Sequence, residues 1–265
     1  MEMFYLSLFL VSVTTIALRL YAILPRPTKR VSAITKEGDK ATCSLSVFLG
    51  SGGHTSELLA MISGLDFHRY QPRIYYVSEG DTLSANKAIA LEKSKASAGG
   101  STQVHETSSP SSATAFVPER SSSTSESEDV LPYTIVVIPR ARRVHQSLLT
   151  TPATALVSLF WCQYHVSLSS VFRPKTNPSK PTRDEATSVL ILNGPGTCLT
   201  LCLAVYVNKF FALPSPVIIY IESFARVKSL SLSGKLIRPL VDRFIVQWPQ
   251  LLQDVKMAEY HGWLV

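Results

Sequence analysis

The sequence predicts an α/β protein, in which a single Rossmann-like domain with a doubly wound parallel sheet follows an N-terminal transmembrane helix. Three observations support this prediction. Short runs of β-branched and aromatic residues alternate with longer helical patterns, as in parallel βαβ units. Two glycine-rich turns each come directly after such a run and directly before a helical pattern. Residues 3–24 are apolar apart from a few hydroxyl side chains and one arginine.

The composition suits a folded domain with a membrane attachment. Of the 265 residues, 46% are apolar and only 17% are charged, which excludes a disordered chain and allows a sizeable core. The formal charge of +7 is scattered and matches no nucleic-acid-binding motif. We therefore expect anionic lipid or phosphate groups as partners, and no nucleic acid. Four cysteines form no C-x-x-C pair, which indicates reduced, buried thiols and a domain that faces the cytosol.

The apolar segment at residues 3–24 is long enough to cross a bilayer, because a helix of about 20 residues covers roughly 30 Å of hydrocarbon. Arg19 lies near its end, where the side chain can reach the head groups. A cleavable signal peptide is disfavoured, since no positive segment precedes the apolar run and no A-x-A-like site follows it. Three basic residues at positions 26–30 place the remainder of the chain in the cytosol. A shallow or re-entrant anchor is the other option for residues 1–30.

Strands are expected where β-branched and aromatic residues cluster between turn residues. They lie at residues 44–49, 73–77, 133–138, 188–192, 217–221 and 243–247. Apolar residues that recur every three to four positions predict helices at residues 55–65, 82–91, 148–172, 197–210 and 229–240. The third of these helices, at residues 148–172, is so apolar that it is either a core helix or a lipid-facing one. This order assigns residues 31–265 to one domain.

Two stretches interrupt the alternation. Residues 92–130 contain twelve serines in thirty-nine positions, which predicts a disordered insertion that is either a solvated linker or a phosphorylated regulatory loop. Residues 173–185 are rich in proline and charge, and we expect a surface loop there. After the last predicted strand only residues 248–261 and an apolar tail at 262–265 follow, so no second Rossmann-like half is expected.

The first glycine-rich turn is Gly50, Ser51, Gly52, Gly53, His54 and Thr55. A strand, such a turn and a helix together bring backbone N–H groups and a helix N-terminus against an anionic ligand. The pattern is neither a P-loop nor a full dinucleotide-binding fingerprint, so ATP and NAD are poor candidates. A purely structural tight turn is the alternative. His54 could hydrogen-bond a phosphate or move a proton.

A second turn of this kind follows the fourth predicted strand, with Asn193, Gly194, Gly196 and Thr197 around a proline. Because the carboxyl ends of parallel strands share one edge of the sheet, both turns should lie at the ligand-binding crevice. Two phosphate-cradling turns suggest a diphosphate. Taken alone, the second turn could equally be an ordinary connection to a capped helix.

Charged residues follow three other strands at the same edge. Glu222 follows the fifth strand, and Glu79 and Asp81 follow the second. The transfer of a group to a hydroxyl needs a base, and any of these carboxylates could supply it. The alternative is that these carboxylates cap helices. Arg140 and Arg142 follow the third strand, where guanidinium groups suit a phosphate unless they form a solvated charge cluster.

Seven blocks of sequence carry a family resemblance. They are similar, in order, to the motifs of the asparagine-linked glycosylation protein fourteen family: GSGGHTSE at 50–57, YVSEGDTLS at 76–84, IPRARRVHQS at 138–147, NGPGTC at 193–198, YIESFARVKSLSLSGK at 220–235, DRFIVQWP at 242–249 and YHGWLV at 260–265. The anchor and the two long loops carry no motif. A small deviation inside the third block affects local detail only.

This resemblance implies the N-terminal half of a glycosyltransferase B fold, similar to MurG but split between two polypeptides. It implies a membrane-anchoring, acceptor-binding subunit that adds the second N-acetylglucosamine, in a β-1,4 link, to dolichyl-diphosphate-linked N-acetylglucosamine. A soluble donor-binding catalytic subunit would bring UDP-N-acetylglucosamine and form a heterodimer, or a larger assembly with the preceding glycosyltransferases.

The resemblance also places the protein in the endoplasmic reticulum membrane as a single-pass protein facing the cytosol, with the nuclear envelope as a further location. No metal or other cofactor is expected, because the glycine turns and arginines can neutralise the diphosphate. Within this reading Glu222 or His54 is the catalytic group. The alternatives are a scaffold that contributes no active-site group and an autonomous glycosyltransferase.

Overall fold

A computed structural model describes residues 2–25, 42–99, 133–142, 146–147, 149–171, 188–253 and 258–264. Within these residues a seven-stranded parallel sheet lies between two layers of helices. The strands are β1 (Ser44–Leu49), β2 (Arg73–Ser78), β3 (Tyr133–Ile138), β4 (Ser188–Asn193), β5 (Val217–Ile221), β6 (Arg243–Val246) and β7 (Ala258–Tyr260). The helices are α1 (Glu2–Ile23), α2 (Gly53–Ser63), α3 (Thr82–Gly99), α4 (Thr151–Val171), α5 (Thr197–Phe210) and α6 (Leu232–Ile237). The predicted α/β class and doubly wound parallel sheet are confirmed.

The order of strands in the sheet is β3-β2-β1-β4-β5-β6-β7. The chain therefore builds outward from β1 in one direction and then from β4 in the other. Leu49 at the end of β1 is in register with Asn193 at the end of β4. The direction of winding reverses between these two strands, and open α/β sheets bind ligands beyond the carboxyl ends of such a pair.

The core is divided between the two faces of the sheet. Phe48 and the buried residues of α4, α5 and α6 form one cluster, whereas Leu49 and the buried residues of α2 and α3 form the other. Neighbouring residues of β1 belong to opposite clusters because successive side chains of a strand point to opposite faces. The prediction of buried thiols holds for Cys162, Cys198 and Cys202. Burial raises the pKa of the Cys162 thiol to about 11.

The predicted insertion at residues 92–130 starts too early. Helix α3 continues to Gly99, and the Glu92 carboxylate is buried. It accepts two hydrogen bonds of 2.7 Å from the Arg73 guanidinium and one from the Tyr75 hydroxyl. A buried ion pair of this kind is tolerated when the geometry is good and further hydrogen bonds satisfy both groups. The rest of the insertion and the loop at 173–185 lie outside the described residues.

Several predicted boundaries shift by one to three residues, and two differences lie in the C-terminal part of the chain. Strand β7 was not expected, because three residues are too few to show an alternating pattern; it pairs in parallel with β6. Helix α6 begins at Leu232 and not at residue 229, since the Ser231 hydroxyl accepts a hydrogen bond from the Gly234 amide and caps the helix there.

Helix α1 is long and apolar enough to cross a membrane, and its residues 3–18 are exposed. Its other end contacts the domain. Arg19 donates hydrogen bonds from Nε to the Phe210 carbonyl, at 3.0 Å, and from Nη2 to the Lys209 carbonyl, at 2.8 Å. A cation stabilises the free carbonyl groups at a helix C-terminus. The Arg19 side chain thus caps α5, whereas the sequence led us to expect that it would reach toward head groups.

Candidate functional site

The two glycine-rich turns meet at the carboxyl ends of β1 and β4. A Cβ atom on Gly50 would lie 2.8 Å from the Asn193 carbonyl oxygen and 3.1 Å from the Gly194 Cα. A Cβ atom on Gly194 would lie 3.1 Å from the Gly50 Cα, and its φ of +139° favours glycine. At these two positions only glycine allows the two backbones to come into contact. For these two glycines, therefore, the alternative of a purely structural tight turn applies.

The other glycines of the first turn have space around them. Gly52 has a φ of +68°, and no atom lies within 4 Å of a Cβ built on Gly52 or Gly53. Gly52 precedes α2 without a side-chain cap, and the Gly52 carbonyl accepts its first helical bond from the Ser56 amide. The amides of residues 53–55 have no carbonyl of the same helix to bond. A helix N-terminus of this form, beside an exposed Ser51, suits an anion.

The second turn resembles the first in being uncapped. Gly196 precedes α5 without a side-chain cap, and a Cβ built on it would meet no atom within 4 Å. The amides of Cys198 and Leu199 already bond to the carbonyls of Pro195 and Gly196, at 3.0 Å each. The second turn therefore offers fewer free amides than the first.

The threonine hydroxyl groups of the two turns are directed into the domain. Thr55 Oγ1 donates to the Gly50 carbonyl and lies 2.7 Å from the Ser84 hydroxyl. Thr197 Oγ1 accepts a 3.3 Å hydrogen bond from the Ala141 amide. Both threonines are buried. The two hydroxyl groups thus hold the turns in place, and the assignment of Thr55 and Thr197 to diphosphate binding stays a prediction.

Of the two carboxylates after β2, only that of Asp81 bonds to the next helix in the part of the chain that the structure describes. Asp81 accepts hydrogen bonds from the amide of Ser84, at 3.1 Å, and from its hydroxyl, at 2.7 Å, and so caps α3. This is the capping alternative considered for the sequence. The Glu79 side chain is exposed. Helices α3 and α6 thus have side-chain caps, whereas α2 and α5, which begin at the point where the winding reverses, have none.

Glu222 lies after β5 as predicted, but its carboxylate is built into the fold. It is 1% exposed and accepts hydrogen bonds from the Ser223 amide at 3.2 Å and from the Ser231 amide and hydroxyl at 3.1 Å. A Cβ on Gly234 would collide with Oε2, so α6 packs directly on the carboxylate. In the described residues neither oxygen hydrogen-bonds to a residue of the glycine turns. These contacts favour a structural role, and the assignment of Glu222 as the base stays a prediction.

The arginines after β3 lie at the rim of the same edge. Arg140 donates from Nε to the Glu79 carbonyl at 3.0 Å, and the exposed Arg142 donates to the Gln146 carbonyl at 3.1 Å. The bond between Ala141 and Thr197 holds this segment against the second turn. Within the described residues the other guanidinium N–H groups of Arg140 and Arg142 have no hydrogen-bond partner, so they could bind a phosphate.

A polar network that the sequence did not predict links the two turns. Nδ1 of His54 lies 2.7 Å from Oδ1 of Asn193, and Nδ2 of Asn193 donates to the Glu57 carboxylate at 3.1 Å. Glu57 also accepts from the Ser223 hydroxyl at 3.1 Å. The one signal in the sequence is that Glu57 follows His54 by three positions, which places both on one face of α2.

An aromatic cluster lies at the carboxyl ends of β5, β6 and β7. The ring centroid of Trp248 is 4.9 Å from that of Phe224 and 5.6 Å from that of Trp263, and the Trp248 indole donates to the Phe224 carbonyl. Trp263, in the apolar tail, is 64% exposed. The described part of the chain holds no group of three His, Cys, Asp or Glu side chains arranged for a metal ion.

Comparison with known proteins gives consistent matches. Residues 45–264 match the family model described as "Oligosaccharide biosynthesis protein Alg14 like". A protein of Cryptococcus neoformans var. neoformans is 43% identical over 237 residues, which cover 89% of this chain and 86% of the relative. A protein of Schizosaccharomyces pombe is 41% identical over 82% of this chain and 81% of its own length. One of Rattus norvegicus is 32% identical over 85% of both.

All three relatives are named UDP-N-acetylglucosamine transferase subunit ALG14. No solved structure matches the chain.

Proposed function

Because this chain belongs to the Alg14-like family of oligosaccharide biosynthesis proteins, we propose that it is a subunit of a UDP-N-acetylglucosamine transferase. In this proposal it binds the acceptor, dolichyl-diphosphate-linked N-acetylglucosamine, and holds it for addition of the second N-acetylglucosamine. The chain is thus the acceptor-binding part of a glycosyltransferase that is complete only as a complex.

The observation that carries this proposal is the contact between the two uncapped glycine turns. The amides at the start of α2 and the open space beside Gly53 together suit a phosphate group. Arg140 and Arg142 lie near the second turn and can take a second phosphate. A diphosphate that lies across the junction of the two turns would thereby be neutralised by backbone dipoles and guanidinium groups, without a metal or other cofactor.

The chemistry is an inverting transfer. A base removes the proton from the acceptor hydroxyl, the hydroxyl oxygen forms a bond to the anomeric carbon of the donor sugar, and the bond from that carbon to UDP breaks. The product carries a β-1,4 link and UDP is released. Since the relatives are named as subunits, a partner is expected, and we assign donor binding to a soluble second chain in a heterodimer.

Two helices support membrane attachment. In this proposal α1, which is long and apolar enough to cross a membrane, spans the bilayer of the endoplasmic reticulum, and the domain lies on the cytosolic face. Helix α4 packs on α5, the helix that Arg19 caps, and it exposes Phe160 (74%), Trp161 (49%) and Tyr164 (59%). Aromatic side chains of this kind prefer the interface between lipid and water. We propose that α4 is a lipid-facing helix and lies against the same membrane.

The test is a transfer assay with membranes that carry this chain alone and together with the partner, with radiolabelled UDP-N-acetylglucosamine as donor. Transfer to the dolichyl-diphosphate acceptor should require both chains. Efficient transfer by this chain alone would contradict the split enzyme.

The alternative is a scaffold without any active-site group, and the inward position of Thr55, Thr197 and Glu222 favours it. The scaffold predicts that substitutions at Gly53 and His54 leave transfer unchanged as long as the partner is bound. A loss of transfer with the partner still bound would exclude it.

A further inference from the structure

Glu57 is the least expected member of the network at the two turns. It lies on α2, one helical turn after His54, and its carboxylate contacts the side chain of Asn193 at the end of β4. The Ser223 hydroxyl and the Phe224 amide also donate to it, at 3.1 and 3.4 Å. Two separate segments of the fold, the end of β4 and the residues after β5, therefore hold this one carboxylate in place.

The contact with Glu57 determines how the Asn193 amide is oriented. A carboxylate only accepts hydrogen bonds, so the group that Asn193 turns toward Glu57 must be its NH₂ group. The Asn193 carbonyl oxygen then faces His54, at 2.7 Å from Nδ1. Because a carbonyl oxygen also only accepts, Nδ1 of His54 must carry a proton.

This arrangement leaves the second imidazole nitrogen of His54 without its proton. A neutral imidazole has one N–H, and a proton on Nδ1 makes Nε2 the acceptor. No residue in the described part of the chain hydrogen-bonds to Nε2. The ring lies against the junction of the turns, since a Cβ built on Gly194 would be 3.8 Å from the His54 Cγ.

We propose that Glu57 is a positioning residue that acts through Asn193 to hold His54 in the tautomer with Nε2 unprotonated. His54 is then the base of the transfer, which makes this inference dependent on the proposed function. Nε2 takes the proton of the acceptor hydroxyl as its oxygen bonds to the anomeric carbon and UDP leaves. The resulting imidazolium still donates to Asn193 from Nδ1, and releases the extra proton to solvent after transfer.

The experiment uses the full chain with its partner in lipid nanodiscs and compares Glu57→Ala with Glu57→Gln. Glu57→Ala removes the acceptor, so the Asn193 amide is free to turn over. We expect kcat to fall at least about tenfold. The fall should not exceed the loss caused by removal of the base itself, which is about 10²- to 10⁴-fold. The KM for the acceptor should change little. Glu57→Gln should restore most of kcat, because its carbonyl oxygen can accept the same N–H while its NH₂ donates to the Ser223 hydroxyl.

A second readout reports the tautomer directly. The imidazole nitrogen shifts of ¹⁵N-histidine distinguish a proton on Nδ1 from one on Nε2, and His54→Gln assigns the signal. The wild type and Glu57→Gln should show His54 protonated on Nδ1, and Glu57→Ala should show a mixture or the other tautomer. Asp66→Ala, which removes an exposed carboxylate that caps the His68 amide, is the matched control for loss of a negative charge.

Two results would overturn the positioning role: a wild-type His54 protonated on Nε2, or a Glu57→Ala variant with an unchanged tautomer. Equal losses in Glu57→Ala and Glu57→Gln, with a raised KM and a lowered melting temperature, would overturn it as well and indicate a merely structural carboxylate. If the wild-type complex transfers no sugar although the tautomer is as expected, then the proposed function fails and the hydrogen-bonded arrangement stands.

Discussion

Replacement of Gly53 by alanine should separate ligand binding from folding. The new methyl group would meet no protein atom within 4 Å, and Gly53 does not have a left-handed φ. At the first position of α2, alanine is a better helix former than glycine, by up to about 1 kcal/mol. The free energy of unfolding should therefore stay constant or rise, which for a domain of this size corresponds to a melting temperature higher by up to about 2–4 °C.

The same methyl group occupies the space through which a phosphate would approach the amides of residues 53–55. The loss of one hydrogen bond to a charged group costs about 1.5–3 kcal/mol, which corresponds to a roughly ten- to hundredfold weaker interaction. We expect the KM for the acceptor to rise by about that factor. Partner binding, measured by co-purification, should be unchanged.

The controls are two other glycines. In Gly64→Ala the new Cβ would lie 3.8 Å from the Met61 carbonyl oxygen, an ordinary contact away from the turns, so transfer should be normal. In Gly50→Ala it would collide with backbone at 2.8 Å, so folding itself should suffer. A Gly53→Ala enzyme with normal KM and kcat would refute the reasoning, as would one that loses activity only because it melts at a lower temperature.

Three further predictions concern the base, the tail and the membrane. Glu222→Gln should lower the free energy of unfolding by about 1–3 kcal/mol, because it disturbs three hydrogen bonds of a buried carboxylate, and it should reduce kcat less than tenfold. A larger fall in kcat at unchanged melting temperature would identify Glu222 as the base. Deletion of residues 262–265 should weaken the pair with the partner in co-purification, since Trp263 is exposed; undiminished pairing would contradict this. Brominated lipids should quench the fluorescence of Trp161 in nanodiscs, and Trp161→Phe should abolish most of the quenching. Quenching that is equally strong in the wild type and in Trp161→Phe would contradict a lipid-facing α4.

The sequence was sufficient for those parts of the fold that depend on local patterns. Strands β1, β3 and β5 have the predicted bounds, because each is a short apolar run between turn residues. Helix α5 also has its predicted bounds. The family was indicated by seven ordered blocks, and the match of residues 45–264 to the family model confirms it.

The sequence also predicted which residues lie at this edge of the sheet, but it did not predict the orientation of their side chains. Asn193 ends β4 and Glu222 follows β5, and the carboxyl ends of these strands share that edge, as the parallel arrangement requires. Whether such a side chain faces the crevice or a neighbouring helix depends on what packs beside it. Glu222 faces the start of α6, whereas Asn193 faces His54.

The features that only the tertiary structure decided are contacts between residues far apart in the chain. Arg19 caps a helix 190 residues away, and His54 meets Asn193 across 139 residues. Such pairs carry no periodicity, because each is a single contact between two elements whose own patterns are satisfied without it. The sequence by itself therefore determined the elements, the glycine turns and the family. The tertiary structure decided which polar groups are hydrogen-bonded inside the domain and which face the crevice. Burial and hydrogen bonding are determined only when the helices and strands pack together.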